Sequence, residues 1–92
     1  LGLRVRTIDP EIAERLGMDP DAQGVVVTDV ASGSKAGEAG IRQGDVVIEI
    51  NRKPIESLED YREQLRRIDD GDTVQMLLRR GGGGLVAVKF TR

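Results

Sequence analysis

Hydrophobic and charged residues alternate over residues 1–8 of the chain. Leu1, Leu3 and Val5 share one face of this pattern, and Arg4 and Arg6 share the other. Such an alternation is typical of a strand that is buried on one side and exposed on the other. The pattern therefore predicts a half-buried strand at the start of the chain.

A short helix is predicted directly after this strand. Asp9 is a residue type that caps helix N termini, Pro10 suits the first helical position, and Gly17 suits the left-handed residue that follows a helix. Ile12 and Leu16 then lie one turn apart on a single face. The sequence predicts a helix between Asp9 and Gly17.

Apolar runs rich in Val, Leu and Ile predict the remaining strands. They are bounded by Gly, Asp and Asn, which are common in turns. The predicted strands cover residues 25–30, 46–50, 73–79 and 85–90, with a short extended piece at 53–55. Arg80 and four glycines join the last two strands, which predicts a hairpin with a loose tip.

An amphipathic segment in the second half of the chain predicts the best-defined helix. Ser57 is a typical cap residue, and Asp60 follows three positions later as an acidic partner in the manner of a capping box. The apolar stripe of this helix consists of Leu58, Tyr61, Leu65 and Ile68. Ile68 is expected in the core, and for Tyr61 the core is favoured over a position on a ligand-facing surface of the helix. One further short helical turn is predicted within residues 31–40.

This order of elements predicts an α+β fold. Five or six strands with two or three helices in 92 residues favour a small, partly closed antiparallel β-barrel or sandwich that the helices cap. A chain of this length can bury one hydrophobic core but not two, so residues 1–92 are predicted to form a single domain. Because the chain starts at Leu1 inside an ordered pattern, we expect a domain excised from a longer protein.

The composition excludes several kinds of function. Charged residues make up 33% of the chain but the net charge is only −2, which disfavours nucleic acid as a partner. No apolar run is long enough to cross a bilayer, so direct membrane insertion is not expected. Without His or Cys, neither a Ser-His-Asp nor a Cys-His arrangement can form. A carboxylate pair is the one hydrolytic arrangement left open, and no cofactor or metal is predicted.

Two polar segments have alternative interpretations. Asp69, Asp70 and Asp72 offer carboxylates to calcium, but the other oxygen ligands of a calcium loop are missing, so a solvated turn is favoured. Residues 79–84 combine two arginines with four glycines, but they lack the Gly-x-x-x-x-Gly-Lys pattern of phosphate-binding loops. A hairpin is favoured there.

The segment over residues 24–51 resembles the central part of bacterial PDZ domains. A strand leads through Gly-Ser-Lys-Ala-Gly-Glu-Ala-Gly at residues 33–40 into the pair Gly44-Asp45 and then into the next strand. In the family, small residues at these positions allow a short helix to lie close to the sheet. Lys35 stands where proline is usual, which is expected to loosen the turn without changing the fold.

Two further segments extend this resemblance over the whole chain. Leu1-Gly2-Leu3 is similar to the apolar-Gly-apolar loop of PDZ domains, and its position near the N terminus matches the permuted strand order of the bacterial members. Residues 51–55, the helix from Ser57 and residues 77–82 are most similar to the second, C-terminal PDZ domain of HtrA/Deg serine proteases.

The resemblance implies a peptide-binding site without catalytic residues. A PDZ ligand adds a strand to a sheet edge, and the backbone amides of the glycine loop hold its terminal carboxylate. The residues implied on the strand side are Leu1, Gly2, Leu3, Arg4 and Val5, and those on the helix side are Leu58, Arg62 and Leu65. An apolar Leu58 at the helix start favours an apolar ligand side chain.

The resemblance also implies the setting of this site. The parent protein would be a serine endopeptidase of the periplasm or cell envelope. The partners would be C-terminal or unfolded polypeptide segments, together with the protease domain and a neighbouring PDZ domain of the parent chain. Two alternatives stay open, namely a structural module that holds an oligomer together and a PDZ domain of another envelope protease.

Overall fold

Strands and helices alternate along most of the computed structural model, which describes residues 1–81 and 83–92. Within these residues the order is β1 (Leu3–Thr7), α1 (Pro10–Arg15), β2 (Val25–Val30), α2 (Lys35–Glu38), β3 (Val46–Ile50), β4 (Lys53–Pro54), α3 (Leu58–Arg66), β5 (Thr73–Arg80) and β6 (Gly84–Thr91). All predicted elements are therefore present. The predicted hairpin tip includes Gly82, which lies outside the described residues.

The ends of α1 and α2 follow from the local sequence. Asp9 Oδ1 accepts a hydrogen bond of 2.8 Å from the Ile12 amide, and Pro10 is the first helical residue. Gly17 has a φ of 71° after the last residues of α1, where a left-handed backbone favours glycine. Ser34 caps α2 by accepting a hydrogen bond from the Gly37 amide at 3.1 Å. Both caps stabilise helices that are too short to be stable alone.

The strands form one antiparallel sheet in the order β1-β2-β3-β5-β6, and β4 pairs with β3 beside this path. The predicted α+β class, with six strands and three helices, is confirmed. The sheet is not closed, however, because β1 and β6 are its two outer strands and do not pair with each other among the described residues. This open form leaves β1 as an edge strand.

The core is almost entirely aliphatic. Its main cluster lies between the sheet and α3, and its buried residues are Val25, Val27, Ala36, Ile41, Val47, Ile50, Ile55, Tyr61, Ile68, Val74, Met76, Leu78 and Val88. A smaller cluster of Ile8, Val26 and Val46 lies beneath α1. Tyr61 and Ile68 thus occupy the core, as predicted. None of the described helices is long and apolar enough to span a membrane.

Candidate functional site

Strand β1 offers one edge for pairing. The Gly2 carbonyl accepts a hydrogen bond of 2.8 Å from Ala31, and the Ile8 amide donates to the Gly24 carbonyl at 3.1 Å, so the even-numbered residues of this segment face β2. Backbone groups of successive strand residues point in opposite directions. The amides and carbonyls of Leu3 and Val5 therefore point to the opposite edge, where no strand lies in the described part of the chain.

A β-bulge in β2 accommodates the pairing while β1 itself stays regular. Arg4 pairs with Asp29 and Val5 pairs with Val27, so Thr28 is the extra residue. The Thr28 hydroxyl donates to the Arg4 carbonyl at 3.2 Å. Because the irregularity is confined to β2, the open edge of β1 keeps the regular spacing of a strand.

Gly2 begins this edge in a conformation that requires glycine. Its φ is 83°, and a Cβ added to it would lie 2.4 Å from the Ser34 Cβ. The loop that contains Ser34 therefore packs directly against Gly2. A side chain at position 2 would be strained twice, once through the backbone angle and once through this contact.

Helix α3 lies beside β1, and a side-chain hydrogen bond joins the two elements. The Thr7 hydroxyl accepts a hydrogen bond of 2.9 Å from the Leu58 amide, which places the end of β1 at the start of α3. Ser57 caps the helix as predicted by accepting from the Asp60 amide at 3.4 Å. The Asp60 carboxylate in turn accepts from the Glu56 amide at 3.0 Å, one residue earlier than the capping box predicts.

The other end of α3 is bonded to the residue that follows β6. The Arg92 guanidinium donates to the carbonyls of Leu65 and Ile68. Arg92 also lines a cavity together with Leu1 and Gly2. The last turn of α3 therefore lies at the beginning of β1, and the two elements run in opposite directions on either side of a groove.

The groove is apolar. Five of the eight predicted site residues are half-buried hydrophobic side chains that pack against the main core, namely Leu1, Leu3, Val5, Leu58 and Leu65. The structure thus brings together side chains from both predicted halves of the site. Arg62 is exposed on α3 between the two leucines of the helix. Arg4 is exposed as well, and its backbone faces β2 rather than the open edge.

Tyr61 belongs to the core rather than to the groove. Its side chain is buried, and this burial raises the pKa of its phenol to about 12, with the charge of Arg92 acting in the opposite direction. The hydroxyl is therefore protonated at neutral pH. Tyr61 offers neither a charge nor an exposed group to a ligand.

The pair Gly44-Asp45 has a structural role that sequence reasoning did not assign. Asp45 is 1% exposed and accepts two hydrogen bonds from Arg80, at 2.9 and 2.8 Å, and one from the Arg42 amide at 2.9 Å. Arg80 also donates to the Gly40 carbonyl at 2.8 Å. Burial alone would raise the pKa of the Asp45 carboxyl, but the bonds and charges of Arg80 and Arg42 lower it below its ordinary value of 3.8.

The groove differs from the other depressions of the surface. An open cavity of about 370 Å³ lies on the outer face of β3, β5 and β6, where Glu49, Arg52 and Lys89 surround its apolar residues. It has no glycine loop, and no helix residue lines it. No group of acidic, His or Cys side chains that could hold a metal ion occurs within residues 1–81 and 83–92.

An edge strand, a positive-φ glycine at its start and a helix beside it form the ligand site of one domain family. Residues 1–87 match the family described as "PDZ domain". The chain belongs to the PDZ family. This PDZ domain is 33% identical over 81 residues to a probable periplasmic serine endoprotease, DegP-like, from Chlamydia trachomatis. The match covers 88% of this chain but only 16% of the relative, so the domain spans about one sixth of that protein's length.

Solved structures of HtrA proteins have the same fold. The HtrA-type protease AlgW with a decapeptide superimposes on 99% of this chain with a TM-score of 0.86 at 27% identity, and the match covers 27% of the AlgW chain. The HtrA3 PDZ domain bound to a phage-derived ligand, FGRWV, superimposes with a TM-score of 0.80 at 23% identity. That match covers 99% of this chain and 81% of the HtrA3 chain. The resemblance to HtrA/Deg proteases is thus confirmed.

Two residues that position the groove were not predicted from the sequence. Thr7 was predicted only as part of a strand, and Arg92 was not assigned a role. Both side chains bond to the backbone of α3, at its start and at its end respectively. Thr7 follows the alternating pattern on the open edge, which is the one signal in the sequence that could have identified it.

Proposed function

We propose that this PDZ domain binds extended polypeptide segments with a free C terminus in the groove between β1 and α3. The observation that supports this best is the open edge of β1, where the backbone groups of Leu3 and Val5 point away from β2 and no strand pairs with them among the described residues. An extended peptide would complete the sheet there by β-augmentation.

The ends of the groove support a direction for the ligand. At the start of β1, the left-handed Gly2 turns the backbone so that amides of residues 1–3 can face an anion. A peptide antiparallel to β1 would place its terminal carboxylate at this loop. Its side chains would then contact the half-buried Leu1, Leu3 and Val5 on one side and Leu58 and Leu65 on the other.

The solved relatives support a peptide as the ligand. AlgW was determined with a decapeptide, and the HtrA3 PDZ domain was determined with the phage-derived pentapeptide FGRWV. Each of these findings concerns the relative itself. Together with the half-buried apolar lining of this groove, they favour short apolar peptides as the first ligands to test.

The proposed setting is an HtrA/Deg-type serine endoprotease of the periplasm, because relatives such as that of Chlamydia trachomatis are described as periplasmic serine endoproteases. We propose that this domain is the second PDZ domain of its parent, and that it presents polypeptide segments to a protease domain or senses them as a signal. The domain itself would be non-catalytic. Purified domain incubated with an unfolded protein substrate should release no fragments.

The expected affinity is modest. A bound segment of four residues has roughly 30 heavy atoms, and at about 0.3 kcal/mol per atom the binding free energy is limited to about −9 kcal/mol. This limit corresponds to a dissociation constant of about 0.3 μM, so binding in the micromolar range or weaker is expected.

Peptide titration tests the proposal. We would screen the domain against labelled random pentapeptides with free C termini, including FGRWV, and then compare the tightest binder as a free acid and as a C-terminal amide. Amidation should weaken binding more than tenfold. It replaces the charged carboxylate, which would accept hydrogen bonds from the loop amides, with an uncharged group. Equal affinity for the two forms would contradict the proposal. Measuring the mass in solution separates it from the assembly alternative, which predicts an oligomer and no peptide binding.

A further inference from the structure

A cavity lies at the end of the groove, beyond the loop formed by Leu1 and Gly2. Its volume is about 490 Å³. Besides the loop, its lining consists of Gly33, Ser34, Lys35, Asp70, Thr91 and Arg92. Three of these side chains are charged, and two of the three are cations. The proposed position of the ligand carboxylate is therefore next to charged side chains of both signs, and none of them belongs to the glycine loop.

The two cations differ in how they are held. The Arg92 guanidinium donates to two carbonyls at the end of α3, those of Leu65 and Ile68. The Lys35 ammonium is exposed and lies 3.5 Å from the Arg92 carbonyl, which is the outer limit of a hydrogen bond. Arg92 is thus fixed on the helix end, whereas Lys35 can turn toward a ligand at little cost.

The location of Lys35 follows from the packing of its neighbour. Ser34 lies against Gly2, close enough that no Cβ fits between them, and Lys35 is the next residue in the chain. Lys35 is also the first residue of α2, which keeps its backbone fixed. The Lys35 side chain therefore starts from a fixed backbone position, and Lys35 lines the same cavity as Leu1 and Gly2.

We propose that Lys35 is a specificity-determining residue of the peptide site, and that its ammonium group selects for a terminal carboxylate over an uncharged peptide end. This inference rests on the proposed function and assigns to the same site a charge outside the glycine loop. Lys35 need not form a direct ion pair, because its charge raises the local potential at the loop.

The charges near the C-terminal end of α3 explain why the Lys35 ammonium would matter to a ligand carboxylate. The C-terminal end of a helix carries partial negative charge, which repels an anion nearby. Arg92 offsets that charge through its bonds to the last carbonyls of α3. Asp70, which also lines the cavity, adds a negative charge. Lys35 thus supplies the positive charge that remains for the ligand, and Asp70 opposes it.

The test compares Lys35→Gln with Lys89→Gln. Lys89 lies on the outer face of β6, away from the groove, so both variants change the net charge equally. Each would be titrated with the selected pentapeptide as free acid and as amide. Lys35→Gln should weaken binding of the free acid about threefold, which is typical of one exposed charge pair. It should leave the amide unaffected, and Lys89→Gln should change neither.

Asp70→Asn provides a test in the opposite direction. Removing this negative charge should strengthen binding of the free acid about twofold, again without an effect on the amide. Raising the salt concentration should reduce the difference between the unmodified domain and Lys35→Gln, because exposed charges are screened. A merely structural role for Lys35 would change the affinity for acid and amide equally.

The outcomes separate this inference from the proposed function. If the unmodified domain binds acid and amide equally, the proposed carboxylate recognition is wrong. If the unmodified domain prefers the acid and Lys35→Gln retains the full preference, the function stands and the role of Lys35 is overturned. A preference that falls in Lys35→Gln and rises in Asp70→Asn supports both.

Discussion

Two glycine-containing segments of this PDZ domain both match motifs of the family. They differ in whether their polar groups are already hydrogen-bonded within the fold. At Gly44-Asp45, the buried carboxylate receives three hydrogen bonds, two of them from Arg80. At Leu1-Gly2-Leu3, the loop is followed by an edge strand and by half-buried apolar side chains. The comparison separates family-typical residues that complete the fold from those that lie at an open strand edge, where we propose that a ligand binds.

Among the changes within these two segments, Asp45→Asn is expected to have the largest effect on stability. The change removes the charge from a buried acceptor of three hydrogen bonds, which should lower the free energy of unfolding by about 2 kcal/mol. Urea denaturation would measure it. Peptide affinity of the folded variant should be unchanged, and Asp29→Asn, at an exposed position of β2, should leave both quantities unchanged. A loss of binding by folded Asp45→Asn would break the division between the two segments.

Leu65→Lys tests the division on a single helix. Leu65 is half-buried beside the groove, so the lysine stem can lie along α3 with its charge in water, and the fold should lose only about 1 kcal/mol. Binding should weaken more than tenfold. The matched variant is Ile68→Lys, because Ile68 is 5% exposed in the core and a charge there should prevent stable folding. Tight binding by folded Leu65→Lys would remove this residue from the site.

Gly2→Ala and Gly44→Ala form a second matched pair. Both glycines have positive φ, 83° and 93°, so alanine should cost about 1 kcal/mol at each through backbone strain. Only at Gly2 would the new Cβ also meet a neighbour, since nothing lies within 4 Å of a Cβ at Gly44. Gly2→Ala should therefore weaken binding as well, whereas Gly44→Ala should not. Titration and urea melts of both variants would check this, and equal effects on binding would contradict it.

The smallest expected effect is a dependence of the free energy of unfolding on pH through the protonation of Asp45. The pKa of Asp45 is lowered in the folded state, so its stabilising contribution is complete above the ordinary pKa of 3.8 and is lost as the pH falls through the folded value. The stability difference between the unmodified domain and Asp45→Asn should be constant from about pH 7 to pH 5 and shrink below about pH 4. Melts across this range would measure it, and a difference that widened in acid would contradict the assignment.

Much of the fold could be predicted because its signals are local. The cap at Asp9, the cap at Ser57 and the alternation over residues 1–8 each involve residues a few positions apart. The open sheet, in contrast, could not be distinguished from a partly closed one, because closure depends on whether β1 and β6 meet in space. The bulge at Thr28 was equally invisible, since β2 reads as an uninterrupted strand.

The candidate site residues on β1 and α3 were predicted from motifs, whereas the long-range hydrogen bonds of the domain were not. Gly2 and the stripe of α3 follow recognisable patterns. The bond from Leu58 to Thr7 spans 51 positions, and the bond from Arg80 to Asp45 spans 35. Arg80 was assigned to a turn although β5 extends through it. Nothing in a single sequence pairs such distant polar groups, because any of several arginines could reach a buried carboxylate.

The attachment of α3 at both ends has a kinetic consequence for binding. Thr7 holds the start of the helix and Arg92 holds its end, so the width of the groove is fixed before a peptide arrives. A rigid receptor loses little conformational entropy on association, and most of the ordering cost falls on the peptide. Related peptides should then associate at similar rates, and their residence times on the domain should account for nearly all differences in affinity.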